Sequence, residues 1–184
     1  MTNIAAVTVI GNDRPGIVAG VTKVLYNLGC NLQDATSTIL TGHFSMMLVV
    51  GAPEGIDARR LESELAGVAG ELDLVITARP VHEAHLEVAA PTHMISVYGA
   101  DRPGIVYRVA EHLAARGVNI TDLSSRVIGG EERPVYALML EVAARVGGEP
   151  SGELSVEDLV AGLADLKEEL GVEVTVNAIE SDIL

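Results

Sequence analysis

The 184-residue chain is poor in several residue types, and each shortage excludes a class of protein. Cys30 is its one cysteine, so no disulfide forms within the chain, which suits a reducing compartment. No tryptophan, one phenylalanine and four tyrosines are too few for the stacking platforms that hold single-stranded nucleic acid. Apolar runs such as 46–50 and 135–140 are far shorter than the roughly 20 residues that span a bilayer.

Basic residues are also scarce, with 12 Lys and Arg against 26 Asp and Glu, for a net charge of -14. This charge repels phosphate backbones and anionic lipid surfaces, so we expect no direct nucleic-acid partner and no membrane partner. Residues 1–11 carry no Lys or Arg, so they lack the basic start of a secretory signal. With 48% hydrophobic residues the chain can bury a sizeable core. We expect a cytoplasmic protein.

An internal repeat is the strongest signal in the sequence. The octapeptide GNDRPGIV at residues 11–18 recurs as GADRPGIV at residues 99–106, an offset of 88 residues. Further identities follow at the same offset without a gap: Val21 with Val109, Leu25 with Leu113, Gly29 with Gly117, Asn31 with Asn119, Asp34 with Asp122, and Ser37 with Ser125. The repeat predicts a first domain over residues 1–80, a linker over 81–92 and a second domain over 93–184.

Each repeat has the same predicted elements. Apolar and polar residues alternate over 4–10 and 94–98, which indicates a first strand. Apolar residues at helical spacing follow in each repeat, and in the first repeat they predict a helix with Pro15 in its first turn and Gly29 at its end. A hairpin around Thr41-Gly42 comes next, repeated around Gly129-Gly130. A second helix and a last strand complete each repeat. The second helix has one apolar stripe in each repeat: Leu61, Leu65, Val68 and Leu72, then Val156, Leu159, Val160, Leu163, Leu166 and Leu170.

The order strand, helix, strand, strand, helix, strand predicts an α+β fold in each half. We expect a ferredoxin-like (βαββαβ) domain, which is a four-stranded antiparallel sheet with two helices on one face. The two repeats differ obviously in length only at residues 143–153, where glycines and a proline predict a loop.

The motif Asp-Arg-Pro-Gly-Ile-Val and the later Gly-x-Asn-[Leu/Ile]-x-Asp occur in both units, and with them the chain resembles the tandem ACT-domain proteins. Within that group, the segments 29–34 (GCNLQD) and 71–74 (ELDL) look most like the glycine cleavage system transcriptional repressor family. The resemblance implies that each domain binds a small ligand, usually an amino acid. It also implies that domains pair side by side, as in a homodimer, with ligands at the seam, and that a protein partner is regulated.

The residues where the strand turns into the helix suit such a ligand. A helix start directs unpaired N–H groups at a carboxylate, and Asp13 and Asp101 offer acceptors for an ammonium group. Gly16 and Gly104, which have no Cβ, allow a ligand to approach the backbone closely. The full candidate ligand-binding set is Asn12, Asp13, Arg14, Pro15, Gly16, Ile17 and Asn31, with Ala100, Asp101, Arg102, Pro103, Gly104, Ile105 and Asn119.

Two departures from the similar serine-binding ACT domains argue against serine as the ligand. In the similar serine-binding ACT domains of a biosynthetic dehydrogenase, Asn stands where Asp13 and Asp101 stand, and His where Gly11 and Gly99 stand. The second-strand asparagine of those domains is matched here.

Purely structural roles are the alternative for the same residues. Asp13 and Asp101 suit helix caps, the prolines suit turns, and the asparagines suit bends. Arg14 and Arg102 also fit solvated or ion-paired surface positions. Cys30 aligns with Val118, which favours a small buried apolar role.

Catalytic and metal-binding patterns are weak. His82 and His85 have no cysteine or HExxH frame near them, so we expect no metal site. The chain has no GxSxG, GxxxxGK[ST] or GxGxxG motif at either first strand, and we expect no cofactor and no catalysis. The acidic pairs 131–132 and 168–169 read as solvated charge.

Two classes of function remain after this: a ligand-sensing regulator, and a constitutive protein-interaction module without a ligand. An enzyme would need acylphosphatase-like chemistry, or a fused catalytic domain as in the formyltetrahydrofolate deformylases, which carry a similar Asp-Arg-Pro-Gly unit. We expect residues 1–184 to leave no room for that domain.

Overall fold

The computed structural model describes residues 3–81, 90–129, 134–143 and 156–179. The chain divides into two compact units between residues 87 and 88. The first unit consists of β1 (Asn3–Asn12), α1 (Ile17–Asn27), β2 (Asn31–Leu40), β3 (His43–Ala52), α2 (Ala58–Leu72) and β4 (Leu74–Pro80). The second consists of β5 (His93–Gly99), α3 (Ile105–Ala114), β6 (Asn119–Ile128), β7 (Val135–Ala143), α4 (Val156–Leu170) and β8 (Val172–Ala178).

The element order confirms the predicted strand, helix, strand, strand, helix, strand pattern in both units. Each unit holds one four-stranded sheet, in the orders β2-β3-β1-β4 and β6-β7-β5-β8. Every pair of neighbouring strands is antiparallel. The two units are therefore ferredoxin-like α+β domains of the same topology, as the repeat predicts.

The core of the first unit lies between one face of the sheet and the two helices. Alternate residues of β1 are buried, and the register places Val7 opposite Leu48 of β3 and Ala78 of β4. Helices α1 and α2 cover this face with residues at helical spacing, of which Val21 and Leu65 are fully buried. The core of the second unit repeats the design: Ile95, Val97, Ile105, Val109, Leu113, Leu138, Leu140, Val142, Leu159 and Leu163.

The helix that follows the first strand begins two residues later than the sequence suggests. Helix α1 starts at Ile17, and Gly16 is its N-cap with φ 98° and ψ -11°. Pro15 therefore lies in the turn before the helix and not in its first turn, which corrects the prediction. The reason is the left-handed backbone of Gly16, which no helical residue adopts and which separates the proline from the helix.

The helix ends and the first hairpin are as predicted. Gly29 follows α1 with φ 72°, and Cys30 N–H donates to the Leu25 carbonyl at 3.0 Å, which closes the last turn. The turn between β2 and β3 is Thr41-Gly42, where both residues have positive φ, 49° and 83°. Two consecutive left-handed residues are the geometry of a two-residue hairpin turn.

Among the stripe residues whose side chains the structure describes, one was predicted wrongly, and the side chain of Val156 lies outside the described part. Val160 is 44% exposed, since it lies next to buried Leu159 and is turned about 100° away from the core-facing stripe of α4. His82, His85, the pair 131–132 and nearly all of the predicted loop 143–153 lie outside the described residues, as does most of the predicted linker. The domain boundaries at 80 and 93 stay predictions.

Candidate functional site

The turn between the first strand and the first helix is exposed in both units. Asn12, Asp13, Arg14, Pro15 and Gly16 are exposed, and Ile17 is buried in the core with 2% of its surface accessible. The second unit repeats this profile residue by residue: Ala100, Asp101, Arg102, Pro103 and Gly104 are exposed, and Ile105 is buried to the same extent. Both isoleucines can therefore serve a ligand through their backbone N–H only.

The two turns have the same backbone conformation at the helix start. Gly104 has φ 98° and ψ -9°, within a few degrees of Gly16, and neither α1 nor α3 has a side-chain cap hydrogen bond. The first N–H groups of an α-helix have no intrahelical partner. Both turns thus present uncapped amides at the positive end of a helix dipole, which is a favourable setting for an anion.

The aspartates of the two turns do not cap the helices, so that structural interpretation of Asp13 and Asp101 is wrong. The cap position belongs to a glycine in each case. Asp57, which does cap a helix, accepts from the Arg60 N–H at 2.8 Å. Within the described residues no side chain or backbone group donates to either carboxylate, which leaves both acceptors available.

The backbone of Asp13 is nevertheless fixed. Its N–H donates to the Gly42 carbonyl at 2.8 Å, which ties the turn to the β2–β3 hairpin. Arg102 has a structural contact, since its Nη1 donates to the Leu170 carbonyl at 3.4 Å at the end of α4. Arg14 makes no ion pair or hydrogen bond with the described residues. The two turns thus match in backbone but differ in how their arginines are held.

The structure does not bring the asparagines to the aspartates of the same unit. Asn31 begins β2, level with Ile4 near the start of β1, whereas Asp13 lies beyond the other end of β1. Eight residues of strand separate the two ends, about 26 Å at 3.3 Å per residue. Asn119 and Asp101 are separated in the same way.

Asn31 instead lines a shallow hollow between α1 and the start of β2, with a volume of about 580 Å³. Tyr26, Cys30 and Leu32 line it as well. Burial raises the pKa of the Cys30 thiol above its ordinary value. Sequence reasoning missed this hollow, because helix and strand patterns do not show how far apart their surfaces lie.

A second groove, also unseen in the sequence, runs between α1 and α2 with a volume of about 510 Å³. Three glycines line it, at positions 16, 20 and 67. Across the described ranges there is no group of three or more His, Cys, Asp or Glu side chains able to hold a metal ion. In those same ranges no helix is long and apolar enough to cross a membrane.

Comparison with known proteins assigns both units to a family. The ACT domain family matches this sequence twice, over residues 3–79 and 92–177. The chain therefore belongs to the ACT-domain family, with two such domains in tandem.

Curated relatives extend the match beyond single domains. The chain is 32% identical over 144 residues to the glycine cleavage system transcriptional repressor of Escherichia coli, covering 75% of this chain and 72% of that protein. It is 42% identical over 72 residues to a UPF0237 protein of Streptococcus mutans, covering 39% of this chain and 82% of that one. These matches confirm the resemblance and support a ligand-sensing regulatory role.

Solved structures share the fold over nearly the whole chain. A protein of unknown function from Galdieria sulphuraria aligns with a TM-score of 0.79 and 24% identity, covering 98% of this chain and all of that one. A protein described as a candidate glycine cleavage system transcriptional repressor aligns with a TM-score of 0.70 and 21% identity, covering 98% and 99%.

Proposed function

We propose that this protein is a non-catalytic regulator that senses a small amino acid through its ACT domains and modulates a protein partner in the transcriptional control of amino-acid metabolism. One observation carries the proposal. The two exposed turns hold uncapped helix-start amides in the same conformation, Gly16 at φ 98° and Gly104 at φ 98°, each two residues from an arginine and three from an unengaged aspartate.

The chemistry of the turns fits an α-amino acid. The ligand carboxylate lies on the helix-start N–H groups, where the helix dipole stabilises negative charge. The ammonium group lies near Asp13 or Asp101, whose carboxylates accept no other hydrogen bond within the described residues. The side chain of the ligand should be small, because its carboxylate lies directly against the backbone of the turn.

The asparagines enter the proposal through domain pairing. Since about 26 Å separates Asn31 from the turn of its own unit, a ligand that touches both kinds of group needs the turn of one ACT domain and the strand start of another. All ten residues of β2 are exposed, and β2 is an edge strand whose outer backbone groups are open to a neighbouring strand. We place the ligand where two ACT domains join in this way.

The partner is a protein in this proposal, since a net charge of -14 opposes the phosphate backbone of DNA. The relative from Escherichia coli is named a transcriptional repressor. A chain of this charge would exert such control by binding another protein, and we expect no binding to duplex DNA at physiological salt.

Calorimetric titration of the whole chain with each of the twenty amino acids tests the proposal. Saturable binding of a small amino acid is the expected result. Absence of binding by all twenty would favour the alternative function, a constitutive protein-interaction module, for which the exposed edge strand β2 is the relevant observation.

A further inference from the structure

Two residues that line the groove between α1 and α2, Gly20 and Glu71, correspond to residues of the second unit that form an ion pair, Arg108 and Glu169. In the second unit, Arg108 reaches from α3 across to α4. Its Nη2 donates to both carboxylate oxygens of Glu169, at 2.7 and 2.8 Å, and its Nη1 donates to Glu111 at 3.2 Å. A guanidinium group thus bridges the two helices there.

The first unit keeps the acceptor and lacks the guanidinium. Glu71 is the next-to-last residue of α2, as Glu169 is of α4. Gly20 is the fourth residue of α1, as Arg108 is of α3. Without a side chain at position 20 the helices cross closely, since a Cβ there would lie 2.9 Å from Val68 Cγ2. Val68 therefore fills the space beside Gly20, and the groove lies alongside this crossing with Glu71 in its lining.

The groups that line the open groove leave one carboxylate unengaged. Glu64 is paired with Arg60 at 2.6 Å. Glu71 makes no ion pair or hydrogen bond with any described residue, although it lines the groove. Asn27 adds an amide oxygen to the lining, and Lys23, which replaces the Glu111 of the second unit, adds a positive charge.

We propose that this groove receives an arginine side chain of a protein partner, whose guanidinium binds Glu71 as Arg108 binds Glu169. The inference deepens the proposed function, because it gives a docking surface for the regulated partner, and it does not depend on amino-acid binding. Arginine fits better than lysine, since its planar group donates to two acceptors at once, here Glu71 and the Asn27 amide. The net charge of -14 attracts basic partner segments.

The test is an NMR titration of the whole ¹⁵N-labelled chain with N-acetyl-arginine amide, compared with N-acetyl-lysine amide. Both termini of these probes are blocked, so neither probe has the α-carboxylate that the amino-acid site requires, and the arginine probe has no ammonium group. We expect saturable shifts of the Gly20, Gly67 and Glu71 amides with the arginine probe. The lysine probe should bind about tenfold more weakly, since it loses one of two charge-assisted hydrogen bonds.

Two pairs of variants locate the binding. Glu71→Gln should abolish the shifts, whereas Glu54→Gln, an exposed turn position, should leave them unchanged. Gly67→Gln fills the groove and should block the probe. Gly70→Gln is its matched control, because Gly70 lies on the same helix with no atom within 4 Å of an added Cβ and does not line the groove.

Lys23→Glu provides a test in the opposite direction. It restores the charge pattern of the second unit, with Glu111 beside Arg108, and should tighten binding of the arginine probe. Equal binding of both probes, persistence of the shifts in Glu71→Gln, or no saturable shift in the native chain would overturn the proposal. So would shifts of the same amides on raising the concentration of the protein alone, which would assign the groove to a second copy of this chain.

Discussion

Leu74 occupies the space that a side chain at position 11 would need. A Cβ built on Gly11 would lie 2.6 Å from Leu74 Cδ2 and 3.0 Å from the Asp73 carbonyl oxygen. The second unit repeats the relationship, since a Cβ on Gly99 would lie 2.8 Å from Val172 Cγ1. A side chain at this position therefore has no room in either unit unless the neighbouring strand shifts.

Replacement of Gly11 by alanine should therefore destabilise the first domain. The added methyl group forces β1 and β4 to shift, and overpacking of this kind costs about 1 to 3 kcal/mol. Chemical denaturation of the whole chain measures the change in the free energy of unfolding. As a control, Gly70→Ala meets no atom within 4 Å and should stabilise its helix by about 0.5 to 1 kcal/mol. Equal stability of Gly11→Ala and native protein would contradict the packing argument.

Asp13 and Asp57, both of which precede a helix in the first unit, should give opposite results when changed to alanine. Asp57→Ala loses the cap bond to the Arg60 N–H and should cost about 1 kcal/mol of stability. Asp13→Ala removes no cap and should leave the melting temperature unchanged. If Asp13 binds the ligand ammonium, its loss should weaken amino-acid binding about ten- to hundredfold.

Thermal melts and calorimetry of the two variants provide the comparison. Asp57→Ala should keep the affinity of the native protein for its amino acid. A fall in stability without a fall in affinity for Asp13→Ala would return Asp13 to a structural role. The same measurement on Asp101→Ala tests the second turn.

Gly16→Ala should lose stability even though the space around Gly16 is open. No atom lies within 4 Å of an added Cβ, but the backbone has φ 98°, which side-chain-bearing residues rarely adopt. The left-handed conformation costs such a residue roughly 1 to 2 kcal/mol. Denaturation should show this loss in the absence of ligand, and Gly104→Ala should show it equally. A fully stable Gly16→Ala would mean that the turn relaxes to another conformation.

The positive φ of Gly16 and Gly104 changes what their replacement by alanine can test. From the sequence alone, an alanine at position 16 tests only whether a ligand approaches the backbone closely. The positive φ makes the substitution a test of backbone strain first, so loss of binding by Gly16→Ala has to be compared with its loss of stability.

The Cys30 thiol should react slowly with alkylating agents. Burial disfavours the charged thiolate and raises the pKa of Cys30, so less thiolate is present at a given pH. The rate of alkylation as a function of pH should have a midpoint above that of a free thiol. Unfolding the chain in guanidinium chloride should return the midpoint to the ordinary range. A midpoint below that of a free thiol in the folded protein would indicate a reactive cysteine.

The repeated domain and its secondary structure were determined by the sequence. Two octapeptides 88 residues apart and the spacing of apolar residues predicted the order of strands and helices, because strand and helix periods depend on neighbours along the chain. The hairpin at Thr41-Gly42 and the helix end at Gly29 were predicted for the same local reason. The start of α1 was misplaced, since the left-handed cap at Gly16 leaves no mark that distinguishes it from other glycines.

The arrangement of the site was decided by tertiary structure alone. The strand register places Asn31 and Asp13 at opposite ends of the first sheet, although the sequence shows them only 18 positions apart. Gly20 and Glu71 border one groove because two helices distant in sequence cross on the same sheet face. Such relations depend on strand register and helix packing, which bring distant segments together, and local sequence patterns carry no information about those distances.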